Sequence, residues 1–171
     1  MKKAVALIAV AAMAYAGTKH GGIASTIGAS VPVPGGSLVA GQQQFGDRFA
    51  ADTGLNPGVV AAWELAEESG GAAASRQAAG NNDWLNIGYT DSGTYGAGDG
   101  IWASPASAAD ATAAWMKGAD AIPGYGTASS GVRAIAATAG QSASAQIAAI
   151  QNSGWASSGY PDLASLYQQV A

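Results

Sequence analysis

Residues 56–71 of this 171-residue chain, NPGVVAAWELAEESGG, carry its strongest structural signal. Asn56 can accept hydrogen bonds from the free backbone amides at the start of a helix, and Pro57 is preorganised for the first helical position. Gly70 and Gly71 end the pattern, so a helix is predicted over residues 57–69. Its apolar stripe is formed by Val59, Val60, Trp63 and Ala66.

Three glutamates, Glu64, Glu67 and Glu68, fall in the last two turns of this predicted helix. The C-terminus of a helix carries partial negative charge, which disfavours ionised carboxyls and raises their pKa values. Glu64 and Glu68 are four residues apart, so they are expected to face the same side and to disfavour each other's ionisation. A carboxyl that stays protonated near neutral pH can donate a proton to a glycosidic oxygen. The alternative is a solvated acidic face.

The rest of the chain predicts a mainly α domain. Alanine supplies most of the apolar residues and favours helices, whereas the 25 glycines favour short helices with frequent turns. Besides the central helix, helices are predicted over residues 43–53, 105–118, 132–138, 142–152 and 161–170. A short β-hairpin is predicted to pair residues 86–90 with residues 100–102.

The N-terminal region predicts export. Lys2 and Lys3 precede an apolar run over residues 4–13, and residues 14–16 supply a small-x-small cleavage pattern. Residues 1–16 are therefore interpreted as a signal peptide or signal anchor, with a buried N-terminal helix as the alternative. The Gly/Pro/Ser-rich residues 17–41 are predicted to be a linker, and residues 42–171 the folded domain.

Composition excludes several kinds of chemistry. Seven Lys and Arg against 11 Asp and Glu give a net charge of −4, so a nucleic-acid partner is not expected. The chain has no Cys and a single His, His20, in the predicted linker. Cysteine nucleophiles, disulfides, zinc sites and Ser-His-Asp triads are thereby excluded. We expect neither a metal nor a cofactor, and we expect carboxyls to carry any catalysis.

The loop after the central helix has the composition of a sugar site. Residues 81–86 mix amide side chains with an aromatic ring, and rings stack on sugars while amides bind their hydroxyl and N-acetyl groups. Asp83, Asp91 and Asp99 are candidates for a second carboxylate. Ordinary turn chemistry is the alternative interpretation of this loop.

At these residues the chain resembles the lysozyme-like superfamily, most nearly the bacterial N-acetylglucosaminidases of the flagellar and autolysin type. The resemblance spans residues 43–171. The motifs that carry it are Glu68-Ser69-Gly70, Asn81-Asn82, residues 84–88, the helix of residues 146–151, Gly154-Trp155-Ala156 and Tyr160. Two features depart from the family: its Phe-Gly-Ile is replaced by Leu85-Asn86-Ile87-Gly88, and the glutamate of its hairpin has no counterpart.

The resemblance implies a lysozyme-like helical domain with a short β-hairpin beside the active-site cleft. Glu68 is then the general acid. Asp91 is the preferred second catalytic carboxylate, and the alternatives are Asp99, the N-acetyl group of the substrate, or no second carboxylate. The residues expected to contact the sugar are Asn82, Trp84, Asn86, Tyr89 and Trp155.

The expected function is cleavage of peptidoglycan glycan strands by an exported or secreted β-1,4-glycosidase of the N-acetylglucosaminidase type. A lytic transglycosylase using the same acid is one alternative. Others are a non-catalytic wall-binding or virion structural module, and an Ala/Gly-rich secreted protein without a sugar site. The expected partner is the peptidoglycan polymer, with possible membrane association through residues 1–16. Other cell-envelope proteins are further candidate partners, or other virion proteins if the chain is phage-encoded and virion-associated.

Overall fold

The computed structural model describes residues 38–68, 80–87, 89–90, 93–94, 102–119, 122, 126–157 and 159–171. The predicted signal segment, residues 1–16, lies outside the described residues, as does the predicted linker up to residue 37.

Six helices account for most of the described part of the chain, so the prediction of a mainly α domain is confirmed. In chain order they are α1 (Ala40–Thr53), α2 (Pro57–Glu68), α3 (Pro105–Met116), α4 (Ser130–Ala136), α5 (Ala143–Asn152) and α6 (Leu163–Val170). α1 begins at Ala40, two residues before Gln42, where the domain was predicted to start. None of the described helices is long and apolar enough to cross a membrane.

The expected hairpin between residues 86–90 and 100–102 is not seen among the described residues. Strand β1 (Tyr89–Thr90) instead pairs antiparallel with β2 (Gly93–Thr94), with Tyr89 opposite Thr94. Only two residues separate these strands, and a loop of that length costs less chain entropy to close than the longer loop we predicted. Trp102, which we placed in the second strand, lies in no strand.

The start signal of α2 acts as the sequence predicts, and a glycine ends α1; Gly70 and Gly71, the predicted end signal of α2, lie outside the described residues. The side-chain oxygen of Asn56 accepts hydrogen bonds from the backbone amides of Gly58 and Val59, at 2.9 and 3.3 Å. Gly54, which ends α1, has a φ of 75° and donates its backbone N–H to the carbonyl of Ala50. These caps fix the sharp turn between α1 and α2.

α2 lies at the centre of the helical packing. It contacts α1, α5 and α6, and α1 also packs along α3. Aromatic rings run through this core: Trp63 of α2 lies 4.7 Å from Trp155, and Trp155 lies 5.8 Å from Trp115 of α3, measured between ring centroids. Trp63 also meets Phe49 of α1 edge to face, at 6.4 Å. The core thus joins α2 to the C-terminal turn that carries Trp155.

That C-terminal turn is held against α4 at a glycine. A Cβ added at Gly131 would lie 2.2 Å from the carbonyl oxygen of Ser153, a backbone atom with little room to move. The hydroxyl of Ser153 accepts a hydrogen bond from the backbone amide of Trp155 at 3.0 Å. The close approach of the Ser153 backbone to Gly131 therefore fixes the position of this turn, and with it the position of Trp155 in the core.

We predict that Gly131→Ala lowers the free energy of unfolding by about 1–3 kcal/mol, because the new methyl group overlaps the Ser153 carbonyl. Denaturant unfolding followed by circular dichroism measures this change. The control is Gly80→Ala, at a helical position where a Cβ meets nothing within 4 Å, and it should be neutral or mildly stabilising. Equal stability of Gly131→Ala and the wild type would contradict the close approach.

Candidate active site

Three carboxyls meet at the C-terminal end of α2, and we call them the carboxyl cluster: Glu67, Glu68 and Asp83. Glu67 and Glu68 are the last two residues of α2, and Asp83 lies in the loop of residues 80–87. The charge of Glu68 acts on both Glu67 and Asp83, and the charge of Glu67 also acts on Asp83. The fold therefore places Glu68, the predicted acid, close enough to two further carboxyls for their charges to interact.

Glu68, the predicted general acid, is only 3% exposed. It is the final residue of α2, where the Asn-Pro start signal and the helical spacing placed it. Its position at the end of a buried helix puts it beside the loop that the sequence indicated as the sugar-binding region.

Glu67 is half-buried and joins three parts of the chain. Its side-chain Oε2 accepts a hydrogen bond of 3.1 Å from the amide of Asn86, and its Oε1 accepts one from the hydroxyl of Tyr160. Burial raises the pKa of Glu67 to about 7. The hydrogen bond from Asn86 opposes this rise, the charge of Glu68 adds to it, and the nearby indole N–H of Trp155 opposes it. The carboxyl is thus half protonated near neutral pH.

Asp83 is 1% exposed and has one satisfied oxygen. That oxygen, Oδ1, accepts the backbone N–H of Ile87 at 2.9 Å, while Oδ2 is buried without a hydrogen-bond partner. Burial raises the pKa of Asp83 to about 7; the Ile87 hydrogen bond opposes the rise, and the charges of Glu68 and Glu67 add to it. Asp83 was one of our candidates for a second carboxylate, although Asp91 was preferred.

Glu64 belongs to a different environment from the cluster. Its side chain is fully buried against α1, where a Cβ at Gly46 would lie 2.5 Å from its Oε2, and neither carboxyl oxygen has a hydrogen-bond partner. Burial raises its pKa well above the usual value, and the negative charge of Asp47 adds to the rise. We expected Glu68 to be the charge acting on Glu64. The charged neighbour is instead Asp47, because Glu64 faces α1.

The two predicted sugar-binding amides are engaged within the protein. Asn82 has a φ of 58° and donates from its side chain to the carbonyl of Trp102 at 2.9 Å. Asn86 has a φ of 53° and donates to Glu67. Asparagine tolerates this left-handed conformation better than most residues. Both amides therefore shape the loop and hold it to its surroundings, which leaves less of their hydrogen-bonding capacity for a sugar.

The two predicted sugar-stacking tryptophans also have packing roles. Trp84 is 4% exposed and lies against Gly41, so its ring face is not available to a sugar in this conformation. Trp155 is half-buried; its indole N–H donates to the carbonyl of Leu85 at 3.2 Å, and its ring packs on Trp63. Large apolar area explains both positions, because a domain this rich in alanine needs its tryptophans in the core.

The remaining predicted site residues are Tyr89 and Asp91, together with the further candidate Asp99. Tyr89 contributes backbone to β1, and its predicted sugar contact stays a prediction. Asp91, the preferred second carboxylate, lies outside the described residues, as does Asp99. Within the described ranges, no group of three or more His, Cys, Asp and Glu side chains is arranged to hold a metal ion.

Sequence reasoning missed the role of Glu67. The two donors to its carboxyl lie 19 and 93 positions away in the chain, and no local sequence pattern indicates such pairings. The available signals were the adjacency of Glu67 to Glu68 and the presence of Tyr160 among the motifs of the resemblance.

No protein-family model, curated protein or solved structure matches this chain. The resemblance to the lysozyme-like superfamily therefore rests on the sequence motifs, and the arrangement of the carboxyl cluster is an observation independent of it.

We predict that the protein is more stable at pH 5 than at pH 8. Glu64, Glu67 and Asp83 have raised pKa values in the folded state, so the unfolded chain loses their protons first as pH rises. The free energy of unfolding should fall between about pH 4 and pH 7. For Glu67 alone, whose pKa rises from 4.5 to about 7 on folding, the fall is roughly 3 kcal/mol. Thermal unfolding at a series of pH values measures the trend.

Glu64→Gln removes one of these ionisations and should flatten the decline. The matched control is Asp162→Asn, the same acid-to-amide replacement at an exposed position, which should change the free energy of unfolding by no more than about 0.5 kcal/mol. Equal wild-type stability at pH 5 and pH 8 would show that these carboxyls are not desolvated as described.

Proposed function

We propose that this chain cleaves the glycan strands of peptidoglycan as a lysozyme-like β-1,4-glycosidase of the N-acetylglucosaminidase type, with Glu68 as the general acid. The observation that carries the proposal is the carboxyl cluster at the buried end of the central helix. The cluster supports the assignment of Glu68, which the Glu-Ser-Gly motif indicated, as the acid. This support comes from the structure and does not depend on the family resemblance.

The chemistry of the cluster suits acid catalysis. Cleavage of a glycosidic bond requires a carboxylic acid that still holds its proton near the working pH. Glu67 and Asp83, with pKa values of about 7, keep protons in the cluster near neutrality.

In the proposed reaction, Glu68 donates its proton to the glycosidic oxygen as the bond from that oxygen to the anomeric carbon breaks. Asp91 or the N-acetyl group of the substrate stabilises the positive charge that develops. Water then adds to the anomeric carbon and returns a proton to the Glu68 carboxylate. In the lytic transglycosylase version, a hydroxyl of the same sugar adds in place of water and gives an anhydro end.

A second candidate is a non-catalytic wall-binding or virion structural module with the same fold. The observation that favours it is the internal use of the expected sugar-binding groups. Trp84 is buried, and the amides of Asn82 and Asn86 bond to other parts of the chain. Such a module would keep the carboxyl cluster as a structural feature only.

The location follows from the same proposal. An enzyme acting on peptidoglycan must reach the cell wall, and the signal-like residues 1–16 supply a route of export. Its partner is then the polymer itself, together with cell-envelope proteins or, in a phage, with other virion proteins.

We predict that the wild type clears purified peptidoglycan in a zymogram between pH 4 and 8, and that Glu68→Gln does not, because the amide has no acidic proton to transfer to the glycosidic oxygen. The control is Glu64→Gln, on the same helix but buried away from the cluster, and it should clear like the wild type. Circular dichroism verifies that all three are folded.

Mass spectrometry of the released fragments identifies the reaction. Hydrolysis adds one water and leaves a reducing sugar, whereas transglycosylation adds none and leaves an anhydro sugar. Clearing by Glu68→Gln would refute Glu68 as the acid. Folded protein that never clears the gel would favour the non-catalytic module.

A further inference from the structure

The Glu67 carboxyl joins three segments that are distant in the chain. It belongs to the end of α2, Asn86 belongs to the loop of residues 80–87, and Tyr160 lies just before α6. One carboxyl accepts hydrogen bonds from both, with Asn86 at Oε2 and Tyr160 at Oε1. The two donors come from different segments and meet separate oxygens of the same carboxyl.

The loop side of this junction is held by more than one bond. The side-chain amide of Asn86 also donates to the backbone carbonyl of Glu67 at 3.4 Å. The backbone N–H of Asn86 donates to the carbonyl of Asp83 at 3.3 Å. Asp83 in turn accepts the N–H of Ile87. Fixing Asn86 therefore fixes the turn that carries Asp83.

The C-terminal side is held in the same way. Tyr160 is 7% exposed, and its carbonyl accepts a hydrogen bond of 3.1 Å from the side chain of Gln151 in α5. Its φ of 48° is uncommon for an aromatic residue and persists only where the surroundings determine the backbone. Asn86 has a similar φ of 53°, so both donors to Glu67 sit on constrained backbone.

We propose that Glu67 is a positioning residue, whose carboxylate fastens Asn86 and Tyr160 and thereby holds Asp83 beside Glu68. Its effect on cleavage rests on the proposed function, whereas the fastening itself does not. Glu67 is not assigned a catalytic role, because each of its oxygens already accepts a hydrogen bond from within the protein.

The direction of the hydrogen bonds at this junction depends on whether Glu67 is protonated. A carboxylate accepts at both oxygens, but a protonated carboxyl presents a hydrogen at one of them, opposite an amide or hydroxyl donor. The titratable groups that act on or contact Glu67 are Glu68 on its own helix, Asp83 in the loop and the Tyr160 phenol. Because the pKa of Glu67 is about 7, the junction should change near pH 7 from two hydrogen bonds accepted by the carboxylate to one accepted from Asn86 and one donated to the Tyr160 oxygen.

Two substitutions at Glu67 separate positioning from catalysis. Glu67→Gln keeps both contacts, since its oxygen can accept from Asn86 while its amide donates to the Tyr160 oxygen. We expect its kcat on peptidoglycan to remain within about threefold of the wild type. Glu67→Ala removes both contacts, and kcat should fall on the order of tenfold to a hundredfold with a smaller change in KM. Equal and complete loss in both variants would overturn the proposal in favour of a catalytic carboxyl.

A measurement without substrate tests the fastening directly. Carboxyl carbon shifts in NMR give the pKa of Glu67 in the wild type and in Tyr160→Phe. Loss of the hydroxyl donor should raise that pKa by about half a pH unit or more, because the donor favours the ionised form. The side-chain amide signals of Asn86 should follow the same midpoint as Glu67 in both proteins.

The NMR result stands apart from activity. If the wild type cleaves nothing but Tyr160→Phe shifts the pKa of Glu67 as expected, the fastening holds and the proposed function fails. If the pKa of Glu67 is unchanged in Tyr160→Phe and the Asn86 amide does not follow its titration, the fastening is refuted whatever the activity.

Discussion

Burial of carboxyl groups along α2 is the constraint on which the rest of the structure depends. An ionised carboxyl loses its hydration in a protein core, and it avoids that cost by staying protonated or by accepting hydrogen bonds. Glu64 has no hydrogen-bond partner and is accommodated where Gly46 lacks a side chain. Glu67 accepts two side-chain donors. The same helix therefore uses both solutions, and the second one fixes the geometry at its C-terminal end.

The packing of the domain brings the donors to that end of α2. The Trp63–Trp155 contact joins the central helix to the C-terminal turn, and the bond from Trp155 to the Leu85 carbonyl joins that turn to the loop of residues 80–87. Glu67 closes the same connection through Asn86. Glycosidic cleavage requires a protonated carboxyl, and the proposed chemistry would take place where these contacts hold the end of α2, the loop and the C-terminal turn together.

The helices could be predicted from the sequence because their signals are local. Asn56, Pro57 and Gly54 set the start of α2 and the end of α1 through contacts within four residues. The site was harder to predict, because composition does not reveal where a side chain points. Trp84 and Asn86 suggested a sugar site. In the structure Trp84 is buried in the core, and the side-chain amide of Asn86 is hydrogen-bonded to Glu67. The hairpin was placed with the wrong partner, since a short apolar run can pair wherever the loop entropy is lowest.

The most direct test of the central claim is where a glycan binds. Adding a soluble tetrasaccharide of alternating N-acetylglucosamine and N-acetylmuramic acid to the Glu68→Gln variant, with backbone amides followed by NMR, locates the site without cleavage. The account predicts saturable shifts concentrated at the end of α2 and in residues 80–87. Saturable shifts confined to a distant surface such as α4, or no saturable shift in a folded protein, would contradict it.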